Sequence, residues 1–215
     1  VRMPWVGTTK RTKSNAEKLA EAYNVSFEEI NITAAVRQHF IDIKHDESVT
    51  DITYENSQAR ERTKILMNLS NKYGGLVIGT GDLSELALGW ATYNGDHMSM
   101  YAVNVSIPKT LVRYLTAYEA EISDGELKTV LLDVLDTPVS PELLPPDKNG
   151  EIAQKTEDVV GPYELHDFFL YYFVRFGFTP SKIYYLAKHS FAGKYNNDTI
   201  KKWLVTFLKR FFSQQ

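Results

Sequence analysis

The chain has 215 residues, of which 43% are hydrophobic and 24% charged, with a formal net charge of −3. These values suit a globular fold with a substantial core and give no general attraction to nucleic acid, which would need a local basic patch. With no cysteine, disulfides and thiolate metal sites are excluded, and no apolar run is long enough to span a bilayer.

The start, Val1-Arg2-Met3-Pro4, does not read as a signal peptide, and a protein free of membrane in a reducing cytoplasm is expected. Residues Pro4 to Thr9 read as the loop after a strand. Ser14 or Asn15 is then placed to cap a helix with Leu19, Ala22 and Tyr23 on its apolar side. Val25 to Ile32 alternates apolar and polar residues, as a half-buried strand near a sheet edge does. A short helix from Thr33 to about Ile41 follows, then a polar loop from Lys44 to Asp51. Thr53 to Tyr73 reads as a long helix that buries Ala59, Ile65, Leu66 and Leu69 and ends at Gly74-Gly75. Leu76-Val77-Ile78 is a wholly apolar strand, as in a sheet covered on both faces.

Gly79-Thr80-Gly81 makes a tight turn into a helix with Leu83, Leu86, Ala87 and Trp90 on one face. Tyr93 to Ile107 has no clear period and reads as a mobile loop over an active site. Pro108 fits the first position of a helix running to about Glu121, and a further helix covers Glu126 to Asp133. Asp136 to Lys155 is rich in proline and polar residues and mostly irregular. The last third is helical, over Tyr163–Phe176, Pro180–Lys188 and Asn197–Phe212. Its final helix sets Ile200, Trp203, Leu204, Phe207, Leu208 and Phe211 on one stripe, which reads as core or an oligomer contact before a membrane anchor.

Strand, glycine turn and helix in that order commonly carry a ligand in parallel sheets. Here they bring a close backbone, the Thr80 hydroxyl and the carboxylates of Asp82 and Glu85 to one sheet edge. By residue type alone, Asp82 is the helix cap and Glu85 a capping-box partner ahead of a metal ligand. Thr80 alone is a β-branched residue ending a strand. Arg60 belongs to a charged helix face with Glu55, Glu61, Arg62 and Lys64, and Asp96 after Asn94-Gly95 is a turn residue. Lys109 beside Pro108 adds its charge to a helix start, where phosphate is attracted. The five histidines show no metal-ligand spacing; His166 and Asp167 read as caps or a structural pair, and Ser99 beside His97 lacks an orienting acid.

Taken together, Glu55-Asn56-Ser57-Gln58-Ala59-Arg60, Gly79 to Glu85, Tyr93-Asn94-Gly95-Asp96 and Ile107-Pro108-Lys109-Thr110 resemble the synthetase domain of NAD synthetase, in its bacterial glutamine-dependent form. Thr137 to Leu143 and Gly161 to Phe169 continue the likeness in family order over nearly the whole chain. The resemblance implies an α/β, parallel-sheet, three-layer adenine-nucleotide alpha-hydrolase-like (ATP pyrophosphatase) fold. It implies a partial nucleotide-binding core over residues 1–135 and a helical part of the same domain over residues 136–215. The implied reaction adenylates the nicotinate carboxylate of deamido-NAD with ATP and Mg2+, releases pyrophosphate, and lets ammonia from a glutaminase domain displace AMP. Carried over residue by residue, Thr80, Lys109 and Ser140 would contact ATP, and Arg60, Glu85 and Asp96 would contact deamido-NAD. Glu85 would also hold Mg2+, and Arg62 is the near alternative to Arg60.

The departures matter as well. The family's Ser-Gly-Gly-x-Asp-Ser pyrophosphate loop is absent, Tyr73-Gly74-Gly75 lacks its Asp and Ser, and Tyr93 stands where the simpler family pattern has Lys. The expectation is a fragment truncated at both ends, starting past its N-terminal strand, inactive alone and prone to homo-oligomerise through exposed surface. Rival readings are another ATP pyrophosphatase-type amidotransferase, such as a GMP or asparagine synthetase, and a non-catalytic oligomerisation module. The Asp96-to-Lys109 loop and Pro108-Lys109-Thr110 argue against the first.

Overall fold

The computed structural model describes residues 1–5, 10–140, 143–144 and 156–214, with the side chains of residues 10–13 excepted. Most of the expected irregular segment 136–155, and most of the loop expected before the first helix, lie outside the described residues. The elements are α1 (Lys10–Ala22), α2 (Thr33–Ile43), α3 (Ile52–Tyr73), β1 (Ile78–Gly79), α4 (Leu83–Leu88) and β2 (Tyr101–Ala102), followed among the described residues by helices only. These are α5 (Lys109–Ile122), α6 (Gly125–Asp136), α7 (Thr156–Val160), α8 (Tyr163–Leu170), α9 (Pro180–Ser190) and α10 (Asn197–Ser213). A π-helical turn over Tyr171–Arg175 prolongs α8, so the single helix expected to Phe176 changes pitch part-way. No helix among the described residues is long and apolar enough to cross a membrane.

Two compact units result. The first comprises Val1–Thr80, Thr92–Val103 and Arg113–Lys155; the second comprises Gly81–Ala91, Asn104–Val112 and Thr156–Gln215.

In the first unit α3 forms as its ends dictate. The Asp51 carboxylate accepts from the backbone N–H of Thr53 and Tyr54 at 2.9 and 3.0 Å, and Gly74 closes the other end in the left-handed conformation. The helix buries Tyr54, Gln58 and Ala59 on one side, while Ile65, Leu66 and Leu69 are half-buried. Tyr54 joins Trp5, Ile32, Val36 and Phe40 in the core, and Trp5 Nε1–H donates to its hydroxyl at 3.2 Å. The first helix begins at Lys10, ahead of the expected cap. Asn15 therefore lies inside α1, and its amide donates to Asp133 Oδ2 of α6 at 2.6 Å.

β1 and β2 pair in parallel, with Ile78 opposite Tyr101 and Gly79 opposite Ala102. Residues 93–107 thus contain a strand where only a loop was expected. Of the apolar run before Gly79, Val77 is buried, while Leu76 and Ile78 are more than half exposed, so this short strand is not covered on both faces. The strand expected over Val25–Ile32 reduces to one parallel bridge between Arg2 and Glu29. Val25 and Phe27 are exposed, and a strand with so little paired backbone gains too little to propagate.

In the second unit α10 is capped by Asn196, which accepts from the Thr199 N–H at 2.7 Å. Its stripe is core: Ile200, Leu204 and Phe207 are buried where α10 packs with α8 and α9, the Phe207 ring 6.0 Å from that of Phe169, and Trp203, Leu208 and Phe211 are half-buried. Gly161 has φ of +100°, and a Cβ there would run into the Trp203 indole. Gly161→Ala is therefore expected to lower unfolding free energy by about 2–4 kcal/mol, from backbone strain plus overpacking. Urea denaturation followed by tryptophan fluorescence reads this directly, and an unchanged midpoint would contradict the packing.

Candidate functional site

The first unit holds a cavity of about 240 Å³ whose lining includes Arg62, Val77, Gly79, Thr80, Asp96 and Met98. A Cβ on Gly79 would run into the Ser99 side chain, so the backbone of β1 approaches the 92–103 segment as closely as it does only with glycine there. Asp96 accepts the backbone N–H of Thr92 at 2.7 Å, and the Thr92 hydroxyl donates to Asn56 Oδ1 of α3 at 2.9 Å. Asp96 is thus both the turn residue its neighbours suggested and a wall of the cavity.

Arg60 is exposed and its Nε–H donates to the Tyr93 carbonyl at 3.1 Å, whereas Arg62 lines the cavity with its Nε–H on the Met3 carbonyl at 3.3 Å. A helical phase explains the choice. Tyr54 and Gln58 are buried, and Arg62 follows them at the same four-residue interval, while Arg60 is turned about 200° from Gln58. Ser140, in the same unit, is half-buried and not among the lining residues.

The second unit gathers Asp82, Ser84, Glu85, Lys109, Tyr163 and Asp167. Asp82 caps α4 by accepting the Glu85 N–H at 3.0 Å, and Glu85 Oε2 accepts the Asp82 N–H at 3.2 Å, a complete capping box. Each carboxylate keeps its second oxygen for Lys109, whose Nζ lies 2.7 Å from Asp82 Oδ2 and 2.6 Å from Glu85 Oε1. The Tyr163 ring centre stands 5.5 Å from the same nitrogen, within cation–π range.

The backbone at the start of α5 is fixed by side chains. Ser84 Oγ accepts the Lys109 N–H at 2.8 Å and donates to Asp167 Oδ1, while Asp167 Oδ2 accepts the Thr110 N–H at 2.8 Å. Asp167 is a cap as its position suggested, but of α5 rather than of its own helix. Ser84 and Tyr163 were not singled out from the sequence, although both lie inside motifs that were.

Burial raises the Glu85 pKa, and the Lys109 ammonium works against that rise. Burial would lower Lys109, but the pull of Glu85 and Asp82 outweighs it and its pKa is raised, so the ammonium persists at neutral pH. Burial also raises Asp167 and, with the nearby Glu85 and Asp82 charges, Tyr163. Next to Asp167, His166 is 1% exposed, with its Nε2 at 2.6 Å from the Val160 carbonyl and its ring against Phe169, Trp203 and Phe207.

Residues 1–184 match the family described as NAD synthase. The chain belongs to the NAD synthase family. Over 236 aligned residues it is 43% identical to the glutamine-dependent NAD(+) synthetase of Mycobacterium tuberculosis, covering 98% of this chain and 34% of that protein. The chain thus spans about a third of the length of the curated relatives it matches. A crystal structure of a glutamine-dependent NAD(+) synthetase from Cytophaga hutchinsonii aligns with a TM-score of 0.71 at 21% identity, over 97% of this chain and 32% of that one. The glutamine-dependent NAD+ synthetase from Acinetobacter baumannii in complex with ADP aligns with a TM-score of 0.56 at 25% identity, over 97% and 35%. The adenine-nucleotide alpha-hydrolase-like α/β fold expected for this family member is borne out by these neighbours.

His166 provides a pH test of the second unit's packing. Burial lowers its pKa from 6.5 to about 4 in the folded state, so between these values the unfolded chain binds the extra proton. Its contribution to stability is complete above about pH 6.5 and falls by about 3 kcal/mol as pH drops to about 4. His166→Phe is expected to lose this part of the acid decline. Unfolding free energies of both proteins at about pH 7 and about pH 4 check it, and equal declines would contradict it.

Proposed function

We propose that this chain forms part of the synthetase domain of a glutamine-dependent NAD synthetase. In that reaction ATP adenylates the nicotinate carboxylate of deamido-NAD with release of pyrophosphate, and ammonia then displaces AMP to give NAD. The ammonia would come from a glutaminase domain outside this sequence, in a cytoplasmic, oligomeric enzyme. The observation that carries the reading is that Thr80 and Asp96, from two separate family motifs, line one cavity.

At about 240 Å³ that cavity lies just below the usual range of small-molecule sites, a size suited to one nucleoside-sized part of a substrate. Thr80 offers a hydroxyl to ATP, with Lys109 and Ser140 as further ATP contacts. Asp96 and an arginine of α3 bind deamido-NAD. Of the two arginines, Arg62 is favoured over Arg60 because it lines the cavity. Glu85 is assigned to deamido-NAD and to Mg2+. Among the described residues no group of three or more His, Asp or Glu could hold a metal alone. Asp82 and Glu85 nonetheless fit Mg2+, which takes one or two carboxylates and completes its shell with water and phosphate oxygens. Held there, Mg2+ would supply charge neutralisation for pyrophosphate as a leaving group. The protein's own groups hold the carboxylates in place through the capping box and keep Lys109 beside them.

A chimera in which this chain replaces the matching third of the Mycobacterium tuberculosis relative tests the proposal. It is expected to form NAD and AMP in equal amounts from deamido-NAD, ATP, Mg2+ and glutamine. Thr80→Val and Asp96→Ala should each lower its kcat/KM by about 10- to 100-fold, the range for losing a hydrogen bond to a charged group. A folded chimera that makes neither product would refute the reading.

A further inference from the structure

Resting on that assignment of Glu85, we propose that Lys109 is a resident counter-ion which a divalent cation displaces, so that cation binding frees the ammonium for phosphate. The directions around Lys109 Nζ carry the idea. Two of them meet Asp82 at 2.7 Å and Glu85 at 2.6 Å, and a third faces the Tyr163 ring. Its side chain is 15% exposed, so the ammonium in this arrangement is enclosed by its partners rather than presented to solvent. In this state Lys109 serves the two carboxylates, and a phosphate would have to draw it away from both.

Drawing it away unaided would leave two largely buried anions without a counter-charge, which is strongly unfavourable. A divalent cation removes that obstacle by replacing one positive charge with two. The surroundings favour the exchange. Asp167 adds a third buried carboxylate, while Arg210, a further cation near Tyr163, is held on the Leu88 and Gly89 carbonyls at 2.8 and 3.3 Å. The Tyr163 hydroxyl, on a residue 2% exposed, has no hydrogen-bond partner among the described residues, and an incoming water or phosphate oxygen would satisfy it. The backbone need not move. Ser84 and Asp167 fix the first turn of α5, so the exchange is confined to the flexible lysine stem.

Mn2+, followed by its free-ion paramagnetic resonance signal without nucleotide, is the probe, titrated into this chain as wild type and as Lys109→Met, Lys109→Arg and Glu85→Gln. If Lys109 competes for the carboxylates, Lys109→Met binds Mn2+ about tenfold or more tighter than wild type, and Lys109→Arg, which keeps the charge, binds as wild type does. Glu85→Gln loses saturable binding. Circular dichroism melts identify any variant that has lost its fold, and the arginine variant then serves as the folded comparison. Lys109→Met binding no tighter than wild type, with Glu85→Gln still abolishing binding, overturns the exchange and leaves the metal assignment of Glu85 standing. Absence of saturable Mn2+ binding in both wild type and Lys109→Met overturns both.

Discussion

One ammonium held between two carboxylates governs the chemistry of the second unit. Asp82 is 1% exposed and Glu85 is mostly buried, and a pair of anions so placed is tolerable only beside a positive charge. Lys109 supplies it at hydrogen-bond distance from both. Because each carboxylate has two oxygens, the same two residues also close the capping box of α4. A cap and an ion site are therefore not rival readings of Glu85. One oxygen fixes the helix start and thereby holds the other in register with the cation.

Much of the helical structure was legible because it is decided locally. Asp51, Asn196 and the Thr179-Pro180 pair announce helix starts, and the apolar period of the final helix marks its buried stripe. The strands were less legible. Val25 to Ile32 has the alternation of a strand, but alternation needs a neighbour with free backbone groups, and among the described residues it has one bridge, at Arg2, and one further bond from the Ile32 N–H to the Pro4 carbonyl. The reverse holds for Tyr101–Ala102, which has little pattern of its own and is a strand because Val77 and Ile78 lie beside it, with the Val77 carbonyl accepting the Met100 and Tyr101 N–H groups.

The site residues divide along the same line. Thr80 and Asp96 were legible as members of motifs, and their meeting at one cavity follows from the β1–β2 pairing. Between the two arginines, the interval from Tyr54 through Gln58 to Arg62 explains why Arg62 and not Arg60 lines the cavity, since a single helix face recurs every three or four residues. Asp167 is different in kind. It caps a helix 57 residues away in sequence, and no local pattern announces that. His166 and Asp167 are adjacent yet have opposite fates, because neighbouring helical positions point about 100° apart. One turns into aromatic packing and stays neutral; the other turns toward the Ser84 hydroxyl and the Thr110 N–H and accepts from both.

Charge then bears on the form in which nucleotide can arrive at the proposed site. Asp82, Glu85 and Asp167 set three carboxylates against the single ammonium of Lys109, and Arg210 is committed to carbonyls. A bare triphosphate would bring further negative charge to a region already short of positive charge, in surroundings where screening by water is weak. It would also have to compete with two carboxylates for Lys109. A nucleotide arriving with its divalent cation would face neither difficulty, because Asp82 and Glu85 would then have the cation as counter-charge and Lys109 would be available to phosphate. On the proposed reading, this arrangement would select the metal complex of ATP over free ATP through the charge balance of four side chains, ahead of any contact with the base or the ribose.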